Sequence, residues 1–221
     1  MNVEDAINKR RSVRKFKDKE ISADEVMDLL DAARKAPSSG NLQSWKFILV
    51  KNQDSKNQVA DACFQQNWIS SAPLIIVVVA LMEDVKRHYG VRGEMLYSVQ
   101  NCALAVENLL LRATDLGLSA TFVSAFEEGM IKRLLKIPDH TRPQAIIPIG
   151  FSDEVHDTKL LESLESMCYF EQYGGRVEDF DEAFYQWSGM AKKQVDKLLR
   201  KVKKGSVALK DRINEKVNKK D

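Results

Sequence analysis

The stretch Leu74-Ile75-Ile76-Val77-Val78-Val79-Ala80-Leu81 is a continuous apolar run dominated by β-branched residues. Such side chains favour extended backbone, and a strand with no polar alternation offers neither face to water. The run therefore predicts a central strand covered on both sides. The wider apolar stretch, Ala72 to Met82, contains Pro73 and is too short to cross a bilayer. With 221 residues, 44% of them hydrophobic, the chain can bury a substantial core around that strand.

Helical and extended patterns alternate on either side. Ser22-Ala23-Asp24-Glu25 fits a capping box, after which Val26, Leu29, Leu30, Ala33 and Ala36 share one helical face until Pro37 ends the helix. Lys46 to Lys51 reads as a strand and Asp54 to Phe64 as a helix. A polar stretch precedes a long helix from about Glu94 to Leu116, which Gly117 closes as a C-cap glycine. Ser119 to Ser124 and Gln144 to Phe151 read as strands, with a helix over Glu127 to Lys136 between them. This alternation predicts a three-layer α/β or α+β sandwich, with helices packed on a central sheet. Between Ser152 and Tyr173 the pattern is weak.

The charge divides the chain. From Ala191 to Asp221 there are twelve Lys or Arg against four Asp or Glu, a local net of +8 in a chain whose total is +2. The preceding residues are therefore mildly acidic, with a net of −6. In the tail, Val195, Leu198, Leu199 and Val202 follow helical spacing, then Gly205, then Leu209, Ile213 and Val217. Two basic amphipathic helices are predicted. They either pack on the body with their lysines in water, or dock on an acidic membrane or partner. No aromatic residue follows Trp187, which argues against base stacking, and no nucleic-acid role is expected.

Cys63, Cys102 and Cys168 are odd in number and far apart, as reduced thiols of a cytoplasmic protein would be. There is no secretory-type apolar run at the N-terminus. His88, His140 and His156 lack metal-ligand spacing, and no GxGxxG or Walker pattern occurs. What stands out are two polar clusters. Arg10-Arg11-Ser12-Val13-Arg14-Lys15-Phe16 concentrates guanidinium groups and a hydroxyl, and Ala36-Pro37-Ser38-Ser39-Gly40-Asn41-Leu42-Gln43-Ser44-Trp45 gathers hydroxyls and amides around a glycine. Fixed cations suit a phosphate, and neutral donors and acceptors suit a planar heterocycle. Taken singly, the first cluster could be a solvated basic segment and the second a plain helix-to-strand connection.

At these residues the chain resembles the nitroreductase family of FMN-dependent oxidoreductases. Gln100-Asn101, Glu107-Asn108-Leu109-Leu110-Leu111, Gly117-Leu118 and Ile147-Pro148-Ile149-Gly150-Phe151 match in order and spacing as well. The resemblance covers roughly residues 3 to 175. It implies an α+β fold, a three-layer sandwich of helices around a mostly antiparallel sheet, with an FMN-binding domain over 1–175; the basic amphipathic pattern beyond it marks 176–221 as a helical extension. The resemblance also implies a homodimer with FMN sites between the two copies. On that basis Arg10, Arg11, Ser12 and Arg14 would hold the phosphate and part of the flavin. Ser38, Ser39, Asn41 and Gln43 would reach the flavin, several of them from the partner. Val123-Ser124-Ala125 would lie against the ring, with Ser124 a candidate contact to N5, and Lys159 would be a further phosphate ligand.

Three positions depart from the family pattern. Ser44 stands where many relatives carry proline, which implies a less rigid loop, and Ser124 stands where many carry glycine or glutamate. Lys159 alone remains of a usual basic pair. The implied activity is ping-pong hydride transfer from NADH or NADPH, through flavin N5, to a nitroaromatic, quinone or related small acceptor. No protein acid–base pair is required, because the cofactor carries the electrons. Other readings are a flavin-fragmenting or dehalogenase-like enzyme on the same scaffold, or a flavin-binding regulatory protein whose basic tail docks a partner. Trp68, Tyr89 and Tyr97 could line the substrate face or simply pack.

Overall fold

The computed structural model describes residues 1–155 and 159–175. The expected tail helices, the extension over 176–221 and His156 lie outside the described residues. Contacts divide the chain into two units, Met1–Asp157 and Thr158–Asp221, each described by itself.

The apolar run forms strand β2 (Leu74–Ala80), and every one of its residues is buried. Its side chains alternate between two cores, as the period of a strand requires. Leu74, Ile76, Val78 and Ala80 join one core, and Ile75, Val77 and Val79 join the other. Each fully buried Ile or Val contributes about 1.5–3 kcal/mol of transfer free energy. The strand is central: β1 (Trp45–Val50) and β4 (Arg142–Gly150) flank it, and the two-residue β3 (Ser119–Ala120) pairs with β4. The order is β1-β2-β4-β3, with all ladder pairs antiparallel. Helices α2 (Ala23–Arg34) and α5 (Ser98–Asp115) supply one core with Leu29, Ala33, Cys102, Ala105, Val106 and Leu109. Helices α3 (Gln53–Ala62) and α6 (Glu128–Leu135) supply the other with Val59, Ala60 and Ile131. This is the α+β three-layer arrangement expected.

Local signals hold where they are short-range. The Ser22 hydroxyl accepts the Glu25 N–H at 3.2 Å, and the Glu25 carboxylate accepts the Ser22 N–H at 2.8 Å, so the capping box is complete. Gly117 follows α5, and the Leu118 N–H reaches back to the Ala113 carbonyl at 2.8 Å. Gly150 is required by crowding: a Cβ there would stand 2.6 Å from Pro73 Cδ and 3.0 Å from Phe16.

Two helices lie where no element was expected, and two expectations need correction. The polar stretch after β2 is a helix, α4 (Met82–Arg92), bent at Gly90. The long helix begins only at Ser98, after a π-turn over Gly93–Tyr97. Residues 3–9 form a helix, α1 (Val3–Lys9), capped by Asn2. The strand expected over Ser119 to Ser124 stops at Ala120, because the backbone leaves the ladder and touches β4 again only at the Val123–Ile146 bridge. In the second unit, the weak segment carries one short helix, α7 (Leu164–Met167).

Candidate functional site

The chain leaves α1 at Arg10 and lies along the free edge of β3, where Ser12 pairs with Ala120 in a parallel bridge. The Thr121 hydroxyl donates to the Val13 carbonyl at 2.6 Å, and Val13 is buried. Neighbours of Val13 therefore point away from the core. Ser12 and Arg14 are exposed, and Arg10 and Arg11 are half-buried. The guanidinium of Arg14 stands 5.9 Å from the ring centre of Trp68, a cation–π geometry that holds the charge without neutralising it. Arg11 differs: its guanidinium folds back on the Asn8 and Arg10 carbonyls at 2.5 and 3.0 Å, and its Nε is a buried donor without a partner among the described residues. It braces the end of α1 more than it faces outward.

Val123, Ser124 and Ala125 adjoin this segment. Val123 is buried and exchanges both backbone hydrogen bonds with Ile146, at 3.0 and 2.9 Å. Ser124 and Ala125 are exposed, and among the described residues their N–H groups donate to no protein acceptor. Immediately beyond, the Glu127 N–H donates to the Ala62 carbonyl at 2.7 Å, which brings the end of α3 alongside. There Phe64 and Gln65 both adopt left-handed backbone, with φ of 57° and 58°. Non-glycine residues hold that conformation at a cost, and such positions gather at functional sites. Phe64 and Gln65 were not among the predicted site residues, and no spacing in the sequence marks them; Trp68, expected on the substrate face or in packing, stands against Arg14.

Ser38, Ser39, Asn41 and Gln43 form a separate, tightly tied loop. Its 3-10 turn, Ser39–Asn41, has left-handed backbone at Gly40 and Asn41, and Gln43 follows with φ of 47°. The Ser38 hydroxyl accepts the Gln43 N–H at 3.0 Å. Both the N–H and the hydroxyl of Ser39 donate to Oδ1 of Asn101, at 3.0 and 3.2 Å. Asn101, only 2% exposed, in turn donates from Nδ2 to the Ser44 hydroxyl at 3.0 Å. Ser44 is thus no loosened substitute for proline, since its side chain is buried and anchored to α5. Tyr89 covers the loop from α4, and a Cβ on Gly40 would stand 2.6 Å from its hydroxyl.

The two clusters do not meet within one chain. The loop enters β1 at Trp45, level with Ala80 and Arg142, whereas Ser12 lies beyond β3, level with Ile149 and Leu74. Standard sheet spacings put them roughly 19 Å apart across the strands and roughly 20 Å along them. Both cannot touch one ring system of the same chain. Lys159 is half-buried in the second unit.

Burial pushes the Cys63 and Cys102 thiols up to about 12, which keeps them protonated near neutral pH. Among the described residues no acidic, histidine or cysteine cluster is arranged to hold a metal, and no helix is long and apolar enough to cross a membrane.

The nitroreductase family model matches residues 7–74 and 65–151. A protein of Methanothermobacter thermautotrophicus, provisionally named NADH dehydrogenase/NAD(P)H nitroreductase, is 32% identical over 166 residues, covering 72% of this chain and 82% of its own. The NADH dehydrogenase of Thermus thermophilus is 25% identical over 70% of this chain and 88% of its own. Among solved structures, an FMN-dependent nitroreductase from Clostridium difficile R20291 superposes with a TM-score of 0.66 at 26% identity, covering 76% of this chain and 98% of that one. A nitroreductase family protein from Clostridium difficile 630 gives 0.69 at 26% identity, covering 78% and 99%. These matches span the sheet and both polar clusters, and they make the chain a member of the nitroreductase family and an NAD(P)H-dependent oxidoreductase.

Proposed function

We propose that the chain binds FMN and carries reducing equivalents from NADH or NADPH to a nitroaromatic, quinone or related small acceptor in a ping-pong cycle. It does so as a homodimer whose two sites each take residues from both copies. The observation that carries this reading is the separation of the two clusters. Each has the chemistry of a half-site, and opposite corners of one sheet can complete each other only if a second copy supplies the missing half. Leu104 of α5, an exposed apolar residue, lines a groove of about 400 Å³ with Ser38 and Ser39, and with Val99, exposed on the same helix, it gives that second copy a surface to cover.

The donor set fits the cofactor. Arg10 and Arg14 offer fixed cations to a phosphate dianion, and Ser12 adds a hydroxyl from the same segment. The N–H groups of Ser124 and Ala125, which donate to no protein acceptor among the described residues, would suit ring acceptor atoms and the negative charge of a reduced ring, and the Ser124 hydroxyl would be a candidate contact to N5. Bound FMN supplies the centre that accepts and returns the hydride. The protein's own work is to fix the phosphate, to hold N–H donors where charge develops, and to leave one ring face open. Ser38, Ser39, Asn41 and Gln43 act from the partner, chiefly through the shape of their loop. The protein works in the cytoplasm.

The test is a visible spectrum of the purified protein, followed by anaerobic titration with NADH and with NADPH. The expected result is a yellow protein that releases FMN on denaturation, bleaches with nicotinamide, and recovers its colour with a quinone. Colourless protein that ignores added FMN overturns the reading.

A further inference from the structure

Beyond β4 the chain turns back on the arginine segment. The Ser152 hydroxyl accepts the Glu154 N–H at 3.0 Å and so aims the Glu154 side chain. One carboxylate oxygen of Glu154 then takes two successive backbone N–H groups, from Arg14 at 2.9 Å and from Lys15 at 3.1 Å. The Lys17 N–H donates to the Phe151 carbonyl at 2.8 Å, and the Lys17 ammonium pairs with Asp153 at 2.6 Å. The backbone of Arg14 is thus held from the β4 side, while its guanidinium stands over Trp68.

We propose that Glu154 is a positioning residue for phosphate recognition, setting through the Arg14 and Lys15 amides the backbone from which the Arg14 guanidinium is presented. The inference rests on the FMN reading above. Four cations, Arg10, Arg11, Arg14 and Lys15, crowd six positions here, so a nearby carboxylate should weaken anion binding by Coulomb's law alone. If Glu154 acts by geometry, removing it has the opposite effect.

The experiment compares FMN with riboflavin, which has no phosphate, by quenching of flavin fluorescence on titration with the native protein and with E154A, E154Q and E154D. E154A should weaken FMN binding about tenfold, the order expected when a charge-assisted hydrogen bond is lost, and leave riboflavin within about twofold. E154Q keeps an acceptor oxygen for the two amides and should retain most of the FMN affinity. E154D keeps the charge but shortens the reach, and should fall between; it carries the test if E154A does not fold. In an R14A background, E154A should cost nothing further, as a coupled pair requires. Tighter FMN binding by E154A, equal losses for FMN and riboflavin, or no change at all each overturns the proposal. If the native protein binds riboflavin and FMN alike, or neither, the FMN-phosphate reading itself has failed.

Discussion

The Ser38–Gln43 loop and the Arg10–Lys15 segment are both dense in hydrogen-bonding side chains, and they use them in opposite directions. In the loop the side chains bond to the loop itself or to α5: Ser38 caps the Gln43 amide, the exposed Gln43 side chain reaches the Asn41 carbonyl at 3.0 Å, and Ser39 is tied to Asn101. What the loop presents outward is a left-handed backbone and two exposed amides, Asn41 and Gln43, already bonded to each other. In the segment the backbone is held by others, Thr121 on one side and Glu154 on the other, which leaves Ser12 and Arg14 directed outward. Residue type alone does not separate a group that grips a ligand from one that braces the element carrying it. The hydrogen-bond partners do.

The largest test of that contrast is Asn101→Ala. It strips three hydrogen bonds at once and leaves the Ser39 N–H and the buried Ser44 hydroxyl without their partner. A loss of about 3 kcal/mol is expected from buried polar groups left unsatisfied, seen as a lower midpoint in urea. Arg14→Ala should move that midpoint by less than about 0.5 kcal/mol while weakening FMN strongly. If both variants destabilise equally, the distinction between brace and grip is wrong.

Next in size is Gly40→Ala. The backbone there has φ of 57°, and the new methyl would meet the Tyr89 hydroxyl at 2.6 Å. The left-handed conformation alone costs about 1 kcal/mol for alanine, and the contact adds a similar amount unless Tyr89 swings aside. Tyr89→Ala in the same chain should recover the steric part and leave the backbone part, a division that a double-mutant cycle in urea resolves. No recovery would mean that Tyr89 does not rest on the loop.

How far these features can be read from sequence follows from their range. The doubly buried β2, the capping box at Ser22 and the stop at Gly117 depend on neighbours within a few positions, and each lies where its pattern points. Helix α4 does not announce itself, because it buries little: Val85 is its one buried residue among the described ones, so no apolar stripe exists to count. Helix α1 is similar, with only Ala6 buried. β3 fell short because its second half serves the Val123 bridge and the exposed Ser124, a non-local arrangement. The motif clusters were legible as chemistry, but their distance was not. It follows from the strand order β1-β2-β4-β3, which no local pattern encodes. The links Asn101–Ser44 and Glu154–Arg14 span 57 and 140 positions, beyond any periodicity.

The smallest expected effects come from one chemical change made in both regions. Ser38→Ala deletes the acceptor of the Gln43 N–H, and a side chain that braces backbone in this way is worth about 1 kcal/mol. Ser12→Ala removes an exposed hydroxyl, so stability should hold within about 0.5 kcal/mol. FMN binding should reverse the ranking. On the proposed site, Ser12→Ala removes a hydroxyl donor to the charged phosphate and should weaken FMN about tenfold, as one charge-assisted bond implies, with riboflavin unaffected. Ser38→Ala should weaken FMN and riboflavin together, because it acts through the shape of the loop and not through any group the phosphate alone would feel. Measured side by side, the two alanines give a crossed pattern, stability lost in one and phosphate discrimination lost in the other. Parallel losses in both quantities would show that the two regions do the same job.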